Sequence, residues 1–288
     1  MDESNGSHAD GDVGLFGPDS ITWRVHADPL MGVAGLRALL LQSLHPVIIE
    51  AVGAFSDYRD DPWGRLARTA EYVAVTTYGS ASEAMLAGSR VRAVHARVEG
   101  LTATGAEYRA DDPQLLAWVH CCLVASFLEL VTRGGLRLTG AEQDRYIAEQ
   151  VRAGMLVGLE PGEVPADRTG LLDYFRVIRP LLECSPVAHR AACAVVSPPR
   201  PDRQPGGPAS GPRPAWTSVA GLAFATLPPW ARRLYALAEL PGAAGLGDTA
   251  ATAALRALRT TLKGVPVPGL SGLSGGHQRA ARLQRTAR

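Results

Sequence analysis

Arg65, Arg68 and Thr69 form an Arg-x-x-Arg-Thr pattern, and His95 follows Arg68 by 27 positions. On a helix, residues three and four positions apart share a face, so two guanidinium groups and a hydroxyl would point the same way. Guanidinium groups bind carboxylates through paired hydrogen bonds, and a buried one is costly unless it is paired. These residue types could therefore hold a buried anionic cofactor.

The two arginines also have an ordinary interpretation. Most arginines lie on protein surfaces, so a solvated basic face near the start of a helix is an alternative. Salt bridges to Glu71 and Asp61 would serve such a face. Residue types alone leave both interpretations open.

His95 is the first of three candidate histidines. Val91, Val94 and Val98 accompany it at the spacing of a core-facing helix surface. A buried imidazole must either hydrogen-bond, often to a backbone carbonyl, or bind a metal ion. The pattern predicts a buried His95 and leaves its partner open.

His120 and His45 are the other candidates. His120 is the chief rival of His95, because apolar residues surround it at helical spacing: Leu116, Val119, Leu123 and Phe127. His45 precedes Pro46 at a predicted helix break, where its ring could cap the helix or contact a polar group.

Composition excludes several function classes. The chain has 288 residues, 46% of them hydrophobic, and a formal net charge of +1. This near-neutral charge gives no strong electrostatic field that would favour binding to nucleic acid or to an anionic membrane surface. The sequence also lacks a glycine-rich phosphate loop, a Gly-x-Ser-x-Gly elbow and a His-Glu-x-x-His zinc helix.

The cysteines and the N-terminus favour a cytoplasmic protein. Cys121 and Cys122 are adjacent, which disfavours a disulfide between them, and no cysteine pair has zinc-site spacing. The first 13 residues are polar and acidic, unlike a signal peptide. The apolar run from 115 to 131 is shorter than the roughly 20 residues of a membrane span, so it predicts a buried core helix and no integral membrane segment.

Helical periodicity dominates the chain and predicts an all-α fold in a single domain. We expect a tail over 1–18, a helical domain over 19–264 and a basic tail over 265–288. Residues 198–214 contain seven prolines and three glycines, which predicts an exposed loop within the domain. Capping signals and breaks predict helices at 62–78, 80–98, 113–132, 139–158, 171–183, 216–227, 230–240 and 249–262.

Five motifs, taken in order, resemble one bacterial family. That family was formerly called domain of unknown function 2236, and it groups the latex-clearing proteins, which are rubber oxygenases, with the oxygenase of mycophenolic acid biosynthesis. The resemblance runs from about residue 20 to residue 262. It rests on the segments 23–29 (WRVHADP), 37–46 (RALLLQSLHP), 61–69 (DPWGRLART), 92–100 (RAVHARVEG) and 116–120 (LAWVH).

The resemblance implies a globin-like helical core around haem b, whose iron is held by a histidine. Arg65, Arg68 and Thr69 match an Arg-x-x-Lys-Thr motif of the latex-clearing members, and His95 best matches their iron-binding histidine. Arg68 stands where those members have a lysine that binds the iron. Because arginine stays protonated and is a very poor ligand, the second iron face would be open, water-bound or blocked by the guanidinium.

The sequence therefore predicts a haem-dependent oxygenase that uses dioxygen on a small or lipophilic organic substrate. His95 would bind the iron, with His120 and His45 as further cofactor contacts. Arg65, Arg68 and Thr69 would line the reaction side or contact the haem propionates. The alternatives are another haem enzyme, such as a peroxidase or dehydratase, and a non-catalytic helical ligand-binding protein.

Overall fold

The computed structural model describes residues 14–55, 62–196, 213–235 and 247–262, without the side chains of 62, 63 and 213–215. Within these ranges the chain forms twelve α-helices, two 3-10 turns and one pair of short strands, which confirms the predicted all-α class. The helices are α1 Ile21–His26, α2 Met31–Gln42, α3 Pro46–Phe55, α4 Pro62–Tyr78, α5 Ala81–His95, α6 Pro113–Arg133, α7 Gly140–Leu156, α8 Arg168–Ile178, α9 Pro186–Val196, α10 Arg213–Ala225, α11 Pro229–Leu234 and α12 Asp248–Leu262. The strands are β1 Glu99–Leu101 and β2 Glu107–Arg109.

Helix α2 lies at the centre of the fold. Nine of its twelve residues are buried, because α6 packs along one side and α10 along another. Helix α6 is long and apolar enough to cross a membrane by length and composition, but 72% of its most apolar window is buried against other helices. This is the packing of the core helix that the sequence predicts.

Arg37 is a buried charge within α2 that joins three elements. It is 4% exposed, its Nε donates to the Thr226 carbonyl at 3.1 Å, and its Nη1 donates to Ser126 Oγ at 2.8 Å. Burial lowers its pKa to about 10, with the negative charge of Glu129 opposing the shift. Arg37 therefore stays protonated at neutral pH and ties α2 to α6 and to the residue that follows α10.

Helices α4 and α5 form an antiparallel hairpin that positions the predicted site residues. Their connection is only Gly79 and Ser80, and the two helices pack together. Ser80 caps α5 in a capping box with Glu83. Arg65 is 14 residues before Gly79 and His95 is 15 after Ser80. At 1.5 Å per residue both lie about 21–23 Å from the turn, at the same end of the hairpin.

Gly88 sets the distance between α5 and α7. A Cβ added to Gly88 would lie 2.6 Å from the carbonyl oxygen of Leu156, the last residue of α7. Arg92, one turn further along α5, donates to the same carbonyl. Gly88, Arg92 and His95 follow each other at i, i+4 and i+7, so this contact fixes the face of α5 that carries His95.

Several predicted boundaries were correct. Helix α4 spans the predicted 62–78, although its predicted cap Asp61 lies outside the described residues. Asp112 caps α6 through its side chain, and Thr139 caps α7 in the predicted capping box with Glu142. These signals are local, which is why the sequence shows them.

Other boundaries were wrong for identifiable reasons. Helix α5 ends at His95 rather than Val98, because the Val98 carbonyl accepts from Ala110 where the chain enters the strand pair. The strands themselves, and helix α9, were not predicted. Helix α8 ends at Ile178, since Pro180 cannot donate to a continuing helix.

Two predicted segments are only partly described. The proline-rich stretch lies outside the described residues up to 212, and α10 begins at Arg213, so the last two residues of the predicted loop are helical. Helix α11 ends at Leu234, and residues 236–246 lie outside the described ranges. The predicted tails at both ends also lie almost wholly outside them.

The Gly88 contact gives a first prediction. Gly88→Ala should lower the free energy of unfolding by about 1–3 kcal/mol, because the added Cβ meets the α7 backbone rather than a movable side chain. Gly35 is the matched control, since it lies inside α2 with no atom within 4 Å of an added Cβ. Gly35→Ala should raise the free energy of unfolding by about 0.5–1 kcal/mol. Urea denaturation of both variants measures this, and equal effects would show that the α5–α7 contact is looser than described.

Candidate active site

His95 lies at the end of α5 with an unpartnered nitrogen. Its ring is half-buried, and Nδ1 is enclosed without a hydrogen-bond partner in the described part of the chain. Burial lowers the pKa of His95, and the negative charge of Asp111 opposes that shift. The imidazole is therefore neutral at pH 7, the state that offers a lone pair to a metal ion.

The apolar stripe predicted around His95 is not observed. Val94 is 60% exposed, and Val91 and Val98 are only half-buried. The buried residues of α5 are instead Ala84 and Gly88, and Gly88 meets the end of α7. Two small residues give little hydrophobic periodicity, so the sequence pattern indicated the wrong neighbours for His95.

His45 and Tyr72 also have enclosed polar atoms without partners. His45 lies between α2 and α3, and its Nδ1 makes no hydrogen bond. Tyr72 lies on α4, one turn beyond Arg68, and its hydroxyl also lacks a partner. Burial raises the pKa of Tyr72 to about 12, with the positive charge of Arg92 opposing the shift. We call His45, Tyr72 and His95 the orphan cluster.

The charges that act on the members of the orphan cluster come from neighbouring residues. The negative charge of Asp112 opposes the lowering of the His45 pKa by burial, and the adjacent Asp111 does the same for His95. Arg92 acts on Tyr72 and precedes His95 by one turn. An unsatisfied buried polar atom costs about 1–3 kcal/mol, so each of these three atoms is unusual unless a ligand or a water molecule partners it. Four others in the described ranges lie on Trp23, Tyr78, Tyr174 and His189.

Sequence reasoning missed Tyr72, although a signal was present. Tyr72 follows Arg68 at i+4 and Thr69 at i+3, so it continues the face that carries the Arg-x-x-Arg-Thr pattern. A tyrosine at that position is equally typical of a core residue, and only its enclosed hydroxyl distinguishes it.

His120 has a different environment. It is 9% exposed and lies in the middle of α6, where its ring faces Gly154 of α7. A Cβ added to Gly154 would lie 3.6 Å from Cε1 and 3.7 Å from Nδ1 of His120. Burial lowers the pKa of His120 to about 4. The ring edge with Nδ1 thus lies beside Gly154 of α7, in the interior of the helical core.

The α4 residues divide between a cavity and the surface. Arg65 is half-buried and lines a cavity of about 90 Å³, whereas Arg68 and Thr69 are exposed. Thr69 Oγ1 donates to the Arg65 carbonyl at 3.0 Å. The other described wall residues come from α2, α3, α4, α9 and α10: Leu36, Leu39, Gln42, Ser43, Ile48, Ile49, Val52, Leu66, Ala191, Ala194, Val195 and Trp216.

Comparison with known proteins identifies the family. Residues 23–263 match the family described as ER-bound oxygenase mpaB/B'/Rubber oxygenase, catalytic domain. The chain belongs to this oxygenase family. The resemblance found in the sequence motifs is thereby confirmed.

Two curated relatives of this oxygenase-family chain are uncharacterised proteins, one of Mycobacterium bovis and one of Mycobacterium tuberculosis. Each is 29% identical over 115 residues, which is 40% of this chain and 45% of the relative. The match thus spans less than half the length of these relatives. No solved structure matches the chain.

The polar donors of this family member can be compared with what a haem iron needs from a protein. The described residues contain no group of three or more His, Cys, Asp or Glu side chains that could hold a bare metal ion. A haem iron is bound by four porphyrin nitrogens and needs only one or two ligands from the protein. The neutral, unpartnered His95 fits that need, and His45 and Tyr72 supply further polar atoms that lack partners.

Buried neutral histidines make the stability of this oxygenase-family protein depend on pH. Burial lowers the pKa of His26 to about 3 and that of His120 to about 4. In the unfolded chain each would bind a proton near pH 6.5. Stability should therefore be complete above pH 6.5 and fall by about 1.4 kcal/mol per pH unit for each histidine as the pH decreases below it.

Urea denaturation at pH 7.5 and pH 5.0 measures this dependence. We expect His120→Gln to lose about 2 kcal/mol less than the wild-type protein between the two pH values, because one proton-binding group is removed. Comparison of the variant with the wild-type protein at pH 7.5 gives the free energy of unfolding that the substitution itself costs. An unchanged pH dependence in His120→Gln would show that His120 is protonated in the folded protein.

Proposed function

We propose that this protein is a haem b-dependent oxygenase, with dioxygen as co-substrate and a small or lipophilic organic molecule as substrate. The observation that carries the proposal is the enclosed, unpartnered and neutral imidazole of His95 at the end of α5. Membership of the oxygenase family supports the reaction class, and the orphan cluster supports a cofactor in this region.

His95 is the proposed iron ligand. His95 lies at the open end of the α4–α5 hairpin, at the same level as Arg65. The contact between Gly88 and α7 fixes the orientation of the α5 face that carries His95. His120, in the middle of α6 and beside Gly154 of α7, is the rival candidate. A bound haem supplies dioxygen binding and one-electron chemistry.

The remaining residues have supporting roles in the proposal. His45 and Tyr72 would hydrogen-bond to the cofactor or to a water molecule, which removes the cost of their unpartnered atoms. Arg65 would bind an anionic or carbonyl group at the cavity. Arg68 and Thr69 are exposed, and a guanidinium at position 68 cannot bind iron as lysine does.

A non-catalytic ligand-binding protein is the second candidate. The apolar cavity beside α3 and α4 favours it, since the wall residues would hold a lipophilic molecule whether or not haem is bound. The optical spectrum of the protein distinguishes the two functions. A Soret band in the purified or haem-supplemented protein supports the oxygenase, and its absence supports the binding protein.

Substitution of the two histidines tests the ligand assignment. We expect His95→Ala to lose haem, because it removes the iron ligand, and His120→Ala to keep most of it. The Soret absorbance and the haem content per chain of the purified variants measure the difference. Urea denaturation of each variant separates loss of the ligand from loss of the fold. Retention of haem in His95→Ala with loss in His120→Ala would reverse the assignment.

A further inference from the structure

A second cleft lies between the α6–α7 connection and α12. Its volume of about 630 Å³ is in the range of sites that hold small organic molecules. Seven of its eight described wall residues come from α6, the connection and the first turn of α7, and the eighth is Arg256 of α12. None of these residues belongs to the cavity at Arg65 or to the orphan cluster, so the cleft is separate from the proposed oxygenase site.

Two arginines of the cleft have no partner for their charge in the described part of the chain. The guanidinium groups of Arg137, in the connection, and Arg256 make no hydrogen bond and no ion pair there. Both side chains are exposed, so each keeps all five of its N–H donors available. The backbone N–H groups of Arg137 and Leu138 also make no hydrogen bond with any described residue.

Glu142 is the acidic residue among the described wall residues, and its charge is already balanced. Arg24 forms an ion pair with Glu142, and the backbone N–H and hydroxyl of Thr139 donate to the same carboxylate. The hydrogen bonds from the Thr139 backbone and from Arg24 are the main reasons why the pKa of Glu142 is lowered to about 2. Because Arg24 balances Glu142, the cleft keeps an excess positive charge from Arg137 and Arg256.

A third arginine at the edge of the cleft adds no net charge. Nη1 of Arg259, on α12, lies 4.0 Å from the position of a Cβ added to Gly135. Arg259 Nε donates to Asp28 Oδ2 at 2.7 Å, so this guanidinium has its own carboxylate. The excess charge of the cleft is therefore that of Arg137 and Arg256.

Two guanidinium groups favour a phosphate over a carboxylate. Each guanidinium can donate two parallel N–H bonds to two oxygens of one group. A carboxylate has only two oxygens, which one guanidinium occupies, whereas a phosphate monoester has three terminal oxygens and a charge of about −1.5 to −2 at pH 7. Leu136 and Leu138 are half-buried in the same wall, and they offer apolar surface to an attached organic group.

We propose that this cleft binds a small organic phosphate, with the phosphate group between Arg137 and Arg256 and the organic group against Leu136 and Leu138. An inorganic phosphate ion would leave most of the cleft volume and both leucines without contact. The proposal does not depend on haem or on the oxygenase function, because the cleft shares no described wall residue with the orphan cluster.

Calorimetric titration of the full-length protein with phenyl phosphate, benzoate and inorganic phosphate tests the chemistry of the site. Phenyl phosphate should bind roughly 10- to 100-fold more tightly than benzoate, because only the phosphate can pair with both guanidinium groups. It should bind roughly 10-fold more tightly than inorganic phosphate, because the ring buries apolar surface. Equal affinities for phenyl phosphate and benzoate would overturn the proposal. Equal affinities for phenyl phosphate and inorganic phosphate would indicate a site for an inorganic anion and would also contradict it.

Three single variants and one double variant locate the site. Arg137→Gln and Arg256→Gln should each weaken phenyl phosphate binding by roughly 10-fold. Arg90→Gln is the matched control, since Arg90 is an exposed arginine of α5 outside the described wall, and it should leave binding unchanged. Exposed substitutions of this kind should leave the fold intact, which urea denaturation of each variant checks. Equal losses in all three single variants would indicate general surface attraction and contradict the proposal, as would full binding by the double variant Arg137→Gln/Arg256→Gln.

Discussion

Burial of α2 between α6 and α10 is the constraint on which the rest of the fold depends. Arg37 makes this packing specific, because its two hydrogen bonds must reach Ser126 and the Thr226 carbonyl together. Breaking one partner of a buried charge generally costs more than a hydrophobic contact. The position of α2 then determines the two features that matter for function, the cavity wall and the bend into α3 at His45.

Local signals explain how much of this architecture could be predicted. Proline at the first position of α4, the capping boxes of α5 and α7 and the Asp112 cap each depend on residues within one turn, so the sequence alone displays them. The strand pair has only three residues in each strand, too few to show alternation. Arg37 could not be singled out, since its carbonyl partner is 189 residues away.

The candidate site shows the same division between local and distant information. The motifs around Arg65 and His95 identified the family and the hairpin that carries them. Which faces of that hairpin are buried depends on the contact between Gly88 and Leu156, which belong to different helices. The sequence pattern therefore singled out His95 but predicted the wrong environment for it, and it did not identify Tyr72.

Quantitation of haem b in the purified full-length protein tests the central claim most directly. The pyridine haemochromogen assay, with haem supplied during expression, measures haem per chain independently of any activity. The account predicts about one haem b per chain and a Soret band that changes when imidazole is added. A folded protein that remains without haem under these conditions would contradict it.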